Sequence, residues 1–201
     1  MPKLRSLESI LPPINRLPRD IFVLIPRFFP RAKRQWEDTH FPMNGPLVTM
    51  THICRLWGIV LLSTPSLWTQ IDFSTLNSEQ AKCFIRRSGD FLPLDIFQFF
   101  ESEEDAEPFL STALYNIHRL RRLEIQSFLL YLESVLARFT RSAPELEHLE
   151  ISNEIGATGR EMGLHNTIFQ GRLPKLFSLT LYHICTNLRA FNFPSLTRFI
   201  S

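Results

Sequence analysis

One apolar pattern recurs in this chain and limits what it can fold into. Leu120-x-x-Leu123-x-Ile125, Leu146-x-x-Leu149-x-Ile151 and Leu176-x-x-Leu179-x-Leu181 share the same spacing. The end of each alternates apolar and polar residues, the period of a half-buried strand. Between them the period changes. Phe109, Leu110, Ala113, Leu114 and Ile117 fall on one helix face, and so do Leu129, Leu132, Leu136 and Phe139. Earlier, Ala81, Phe84 and Ile85 mark a helix with Gly89 placed to cap it, followed by an extended run from Phe91 to Ile96. Strands that alternate with helices predict crossover units and a parallel sheet. Aligned on the last apolar residue of each strand, the units place Phe73, Ile96, Ile125, Ile151 and Leu181 at intervals of 23 to 30 residues.

These irregular intervals resemble leucine-rich repeats, in which such strands line a curved sheet and helices lie outside it. Ile168-Phe169-x-Gly171-x-Leu173-Pro174-x-Leu176-x-x-Leu179-x-Leu181 resembles the repeats that follow the F-box in fungal proteins. The expected fold class is therefore α+β, in the form of an α/β solenoid. The last apolar pattern, Leu196-x-x-Phe199, has no helix after it and no polar capping unit. The array is expected to be shortened at its C-terminus, with an open strand edge that pairs with other chains.

The N-terminal third reads differently. Leu17-Pro18-Arg19-Asp20 is a helix start, since proline suits the first helical position and Asp20 favours the dipole. Ile21, Leu24 and Ile25 form a stripe that Pro26 either ends or kinks. Residues 26–46 hold four prolines and a glycine without a sustained period, and read as a surface loop. Leu47, Met50, Ile53, Cys54 and Trp57 then recur at the steps of one helix face. A second run, Trp57 to Leu62, stops at Ser63-Thr64-Pro65. The expected organisation is a tail over 1–13, a small helical domain over 14–75 and the repeat region over 76–201.

Ile14-x-x-Leu17-Pro18-x-x-Ile21-Phe22, His52-Ile53-Cys54-Arg55-x-Trp57 and Leu62-Ser63-Thr64-Pro65-Ser66-Leu67-Trp68 together resemble an F-box, and more narrowly the F-box-like domain of mushroom-type fungal proteins. The family has an ordinary helical residue where this chain has Pro26, and it carries a variable insertion where this chain has its loop. The resemblance implies an adaptor that brings substrates to a cullin–RING ubiquitin ligase of the SCF type. It also implies a partner, the Skp-type adaptor subunit, docked on Leu17, Pro18, Ile21, Leu24, Cys54 and Trp57, with Trp57 as the aromatic anchor. Trp68 is expected to pack inward against the first repeat. The alternative is a repeat scaffold with a degenerate F-box that joins no ligase.

Composition excludes several other classes. The chain is 44% hydrophobic and 21% charged, which suits a packed core, and its net charge of +2 is too small for a protein that coats nucleic acid. Three widely spaced cysteines argue against a disulfide framework and for a reducing compartment, cytoplasmic or nuclear. No signal peptide is visible, and no apolar run approaches the ~20 residues of a membrane span. The chain holds no phosphate-binding glycine loop, no Gly-x-Ser-x-Gly elbow and no His-Glu-x-x-His, so catalysis and a cofactor are not expected. His52-x-Cys54 and His183-x-Cys185 would form a zinc site only by converging; buried cysteines acting as small hydrophobes are the simpler expectation. The acidic run Glu101, Glu103, Glu104, Asp105 and Glu107 reads as a helix start. Arg27, Arg31, Lys33 and Arg34 read as a solvated loop.

The repeats also suggest where a substrate polypeptide would lie. The residue between the last two apolar positions of each strand points away from the core. The alignment puts Asp72, Asp95, Glu124, Glu150 and Thr180 at that position, an acidic column that would select a basic segment. Gln126, Ser152 and Tyr182 stand beside it and would add shape and hydrogen bonds.

Overall fold

The computed structural model describes residues 13–28, 45–154, 162–164, 167–186 and 191–200. Most of the loop over 26–46 and part of its basic cluster lie outside these residues, as does the stretch over 155–161. The chain divides into two compact units, Met1–Leu67 and Trp68–Ser201. No helix among the described residues is long and apolar enough to cross a membrane.

The first unit contains α1 (Arg19–Leu24), α2 (Gly45–Thr51) and α3 (Arg55–Leu62). Pro18 stands at the N-cap of α1, where its missing N–H leaves no gap in the hydrogen-bond ladder. Pro26 lies in a 3₁₀ turn, Ile25–Phe28, that follows α1 directly, so the helix is only six residues long. The run from Leu47 to Trp57 is two helices rather than one face. Thr51 turns its hydroxyl back onto the Val48 carbonyl at 2.7 Å, and Cys54 is fully extended (φ −159°, ψ 169°) as the N-cap of α3. Such side-chain bonds to the backbone compete with helix continuation. As a result Ile53 faces out, while Leu47, Met50, Trp57 and Leu61 join Phe22 in the core.

α3 comes close to the end of α2 at Gly58. A Cβ there would stand 2.9 Å from the Thr51 carbonyl oxygen, a backbone atom that moves only with its helix. Gly58→Ala should therefore destabilise the first unit by about 1–3 kcal/mol despite alanine's better helix propensity. Urea unfolding followed by tryptophan fluorescence checks this.

The second unit is mixed α+β. Its strands are β1 (Gln70–Asp72), β2 (Leu94–Phe100), β3 (Leu120–Phe128), β4 (His148–Glu154), β5 (Met162–Leu164), β6 (Ser178–Tyr182), β7 (Ile184–Thr186) and β8 (Arg198–Ile200). Six form a parallel sheet in the order β1-β2-β3-β4-β6-β8, and β5 pairs with β7 apart from it. Helices α4 (Ser78–Ser88), α5 (Glu103–Tyr115) and α6 (Leu129–Ala137) connect the first four strands and pack on β1, β2 and β3 respectively. Asn77 and Gln80 close a reciprocal capping box at the start of α4. Gly89 follows the helix with φ 70°, a conformation that glycine adopts without strain. Ser102 caps α5, with Glu103, Glu104 and Asp105 in its first turn.

Three strands are entered through the same turn. Ala143-Pro144-Glu145-Leu146, Leu173-Pro174-Lys175-Leu176 and Phe193-Pro194-Ser195-Leu196 each place proline second, where its fixed φ suits a turn. In each, the leucine N–H donates to the carbonyl three residues back at 3.2 Å. Successive turns are tied together: Lys175 Nζ reaches Glu145 at 2.7 Å and Ser195 Oγ donates to the Pro174 carbonyl at 2.7 Å.

The sheet registers leucine on leucine. Ile71, Ile96, Leu123, Leu149, Leu179 and Phe199 form one inward row, and Ile125, Ile151 and Leu181 form the next. All but Phe199 are buried. Behind them runs a chain of rings. Phe73 meets Phe109 at 5.9 Å between centroids, Phe109 meets Phe139 at 6.2 Å and Phe139 meets Phe169 at 5.2 Å. Phe169 holds its place at φ 52°, unfavourable for a side chain with a Cβ, and its N–H donates to the Phe139 carbonyl at 2.7 Å. Trp68 packs in this unit, edge-on to Phe84 at 4.7 Å with the Arg87 guanidinium over its ring.

Candidate functional site

The outward rows of the sheet follow from the same register. One row is Gln70, Asp95, Arg122, His148, Ser178 and Arg198. The next is Asp72, Phe97, Glu124, Glu150, Thr180 and Ile200. Beyond it stand Phe99, Gln126, Ser152 and Tyr182.

The acidic column is thus broken at its second strand. Asp95 lies one row away, and Phe97 takes its place between Asp72 and Glu124. The slip is two residues, so it preserves the face and changes the row. Asp72 and Asp95 are also buried rather than presented to a ligand. Asp72 Oδ1 accepts from the Ser74 N–H at 3.0 Å. Asp95 is held in a two-pronged pair with Arg121, at 2.9 Å from Nε and 2.7 Å from Nη2. Glu124 and Glu150 remain adjacent, half-buried, with Arg122 Nε bonded to Glu124 and its guanidinium over the Phe97 ring. Thr180 is buried, Gln126 and Ser152 are half-buried, and Tyr182 is exposed.

Arg121 and Phe97 are the two residues on this face that strand alternation does not reveal. A register shift between Leu94 and Asp95 pairs Leu94 with Leu120 but Asp95 with Arg122, which leaves Arg121 as the extra residue. The bulge turns Arg121 towards Asp95, and the carboxylate raises the guanidinium's pKa. Arg121→Leu should cost about 2–3 kcal/mol, because Asp95 would be left buried and unpaired. Arg121→Leu combined with Asp95→Leu should recover much of that loss. Thermal denaturation of the two variants checks both outcomes.

The first unit presents a different surface. α1 and α3 pack together, with the Phe22 and Trp57 rings edge-to-face at 4.3 Å and Arg19 Nη2 donating to the Ser63 hydroxyl at 2.9 Å. Trp57 is only 5% exposed, and its Nε1–H donates to Asn15 Oδ1 at 3.0 Å. The expectation that Trp57 anchors a partner directly is corrected by this burial: the ring is core, with its one polar group already bonded. Leu17, Pro18, Ile21 and Leu24 are exposed, and Cys54 is half-buried. On α3, Leu56, Ile59 and Leu62 recur every three residues and are exposed as well. Ile21 and Ile59 are the most open of these on their helices, at 46% and 57%.

Compared with known proteins, the chain matches no family model, no curated protein and no solved structure.

The cysteines are not the buried hydrophobes expected: Cys54 and Cys83 are half-buried and Cys185 is exposed. Cys83 accepts from Arg87 Nε at 3.3 Å, and this contact lowers its pKa, with Arg86 adding to the effect. Among the described residues no group of three or more His, Cys, Asp or Glu is placed to hold a metal ion.

Proposed function

We propose that this protein is the substrate-recognition subunit of an SCF-type cullin–RING ubiquitin ligase. In this reading the first unit is an F-box-like domain that binds a Skp-type adaptor, and the second is an irregular leucine-rich-repeat arc that binds a substrate polypeptide. The protein performs no chemistry. It raises the effective concentration of substrate at the ligase, the general advantage of joining two binding modules.

The observation that carries the reading is the apolar surface of α1 and α3. Leu17 and Ile21 fall within the F-box-like pattern and stay exposed, as do Leu24, Leu56, Ile59 and Leu62. Six exposed large apolar side chains on a unit this small are what a helical partner would cover. Trp57 supports this arrangement by fixing α1 against α3 through Phe22.

A second reading, a repeat scaffold outside any ligase, draws on Pro26. The six-residue α1 and the 3₁₀ turn that follows it shorten the first helix of an F-box-like unit. Affinity purification of the tagged chain separates the two. Recovery of a Skp-type adaptor and a cullin is expected under the ligase reading; repeated recovery of other proteins without either would favour the scaffold.

A further inference from the structure

The two ends of the six-stranded sheet are not alike. The inward row that begins with Ile71 on β1 ends with Phe199 on β8. Ile71 is fully buried, whereas Phe199 is 41% exposed. The turn before β8 is opened in the same way. Leu146 and Leu176 are fully buried, but Leu196 at the equivalent place is half-buried. So are Phe191 and Phe193, whose rings stack at 5.1 Å between centroids. The apolar layer is therefore covered at β1 and open at β8.

The backbone of β8 is open as well. β8 pairs with β6 and has no strand on its far side among the described residues. The Arg198 N–H donates to the Phe177 carbonyl at 2.9 Å, so Arg198 turns its backbone groups towards β6. Alternation along the strand then turns the N–H and C=O of Phe199 to the open side. Phe199 thus presents a backbone donor, a backbone acceptor and a large apolar side chain at one edge. Such an edge is a template for another strand.

We infer that this edge joins a second copy of the chain, β8 against β8, in an antiparallel pair about a two-fold axis at Phe199. In that register the two Phe199 residues face each other and exchange both N–H···O=C bonds, because those groups point outward. Directly opposed side chains lie on the same face of a sheet, so the two rings meet and each covers the other's exposed surface. Arg198 then stands opposite Ile200 of the second copy. A seam centred on Arg198 would oppose two guanidinium groups and bring together backbone groups already turned to β6. Head-to-tail pairing of β8 with β1 is disfavoured, since the buried Ile71 offers Phe199 no exposed surface to meet. The like-to-like pair closes at two copies, whereas head-to-tail pairing would run on into a filament. β8 has only three residues, so the seam is small and the dimer dissociates in the micromolar range. The inference is independent of the ligase reading, because the dimer forms without an adaptor.

The test is sedimentation velocity of the full chain across the micromolar range. A monomer–dimer equilibrium without larger species is expected. Phe199→Lys sets two like charges face to face and should weaken the dimer at least about tenfold, while circular dichroism shows the fold retained. Two cysteine variants read the register directly. Opposed Cα atoms in a hydrogen-bonded antiparallel pair lie about 5.5 Å apart, within the ~4.4–6.8 Å that a disulfide bridges. Phe199→Cys should therefore give a covalent dimer under mild oxidation at high protein concentration, beyond any background from the wild-type chain. Arg198→Cys places its thiols two positions out of register and should not. A monomer at every concentration, a dimer indifferent to Phe199→Lys, equal cross-linking by the two cysteine variants, or growth into larger species would each overturn the inference.

Discussion

Phe109→Ala should cost about 3–5 kcal/mol of stability, the largest loss expected from any single truncation in the second unit. Phe109 is fully buried and is the only described ring in contact with both Phe73 and Phe139. Its removal opens a cavity in the middle of the ring chain, and the neighbours are poorly placed to fill it. Phe73 follows β1 and Phe139 follows α6, so neither can move without its element. The typical stability of a domain is only ~5–15 kcal/mol, so the variant should be largely unfolded near 37 °C. Phe109→Leu keeps much of the volume and should cost clearly less. Guanidinium unfolding of the three proteins, followed by circular dichroism, gives the comparison. A loss below ~1 kcal/mol for Phe109→Ala would mean that the ring chain does not carry the packing of the unit.

The second large effect concerns binding. Ile21→Asp and Ile59→Asp each place a carboxylate among the exposed apolar side chains of α1 and α3. Both side chains are roughly half exposed, so folding should change by no more than about 0.5 kcal/mol. If these side chains are covered by an adaptor, each substitution desolvates a charge without a partner and should weaken binding by at least about 2 kcal/mol. Trp57→Ala should behave differently. It removes a core ring, so it should lower the melting temperature of the first unit, and any effect on binding should follow from that loss. The contrast between a surface residue that affects binding alone and a core residue that affects folding first separates interface from support. Calorimetry and thermal denaturation on the same preparations supply both readings.

The later strands were readable in the sequence because leucine and isoleucine mark every inward position. β3, β4 and β6 register Leu123 on Leu149 on Leu179, as the repeated spacing predicts. β2 was harder. Phe97 occupies an outward position, and Gln98 stands in the row of Ile125 and Ile151, where it is buried with its Nε2 on the Phe99 carbonyl at 2.6 Å. That inversion of the usual alternation moved Ile96 to the wrong row, and Asp95 with it. The bulge that sets Arg121 against Asp95 leaves no mark except two consecutive arginines. On the first unit, periodicity identified the apolar residues of α1 and α3. It could not tell Trp57, which faces Phe22, from Ile59, which faces out, because both fit an apolar stripe. The break between α2 and α3 depends on a threonine hydroxyl and an extended cysteine, which hydrophobic spacing does not encode.

The account stands most directly on one measurement: titration of the purified 201-residue chain with a purified Skp-type adaptor by isothermal calorimetry. The expected result is a one-to-one complex with a negative heat-capacity change, the mark of buried apolar surface. Ile21→Asp with Ile59→Asp should abolish it, and Glu150→Gln should leave it intact. A folded wild-type chain that gives no binding heat at several temperatures, or a complex indifferent to Ile21→Asp with Ile59→Asp, would contradict the assignment of the first unit as the ligase-docking module.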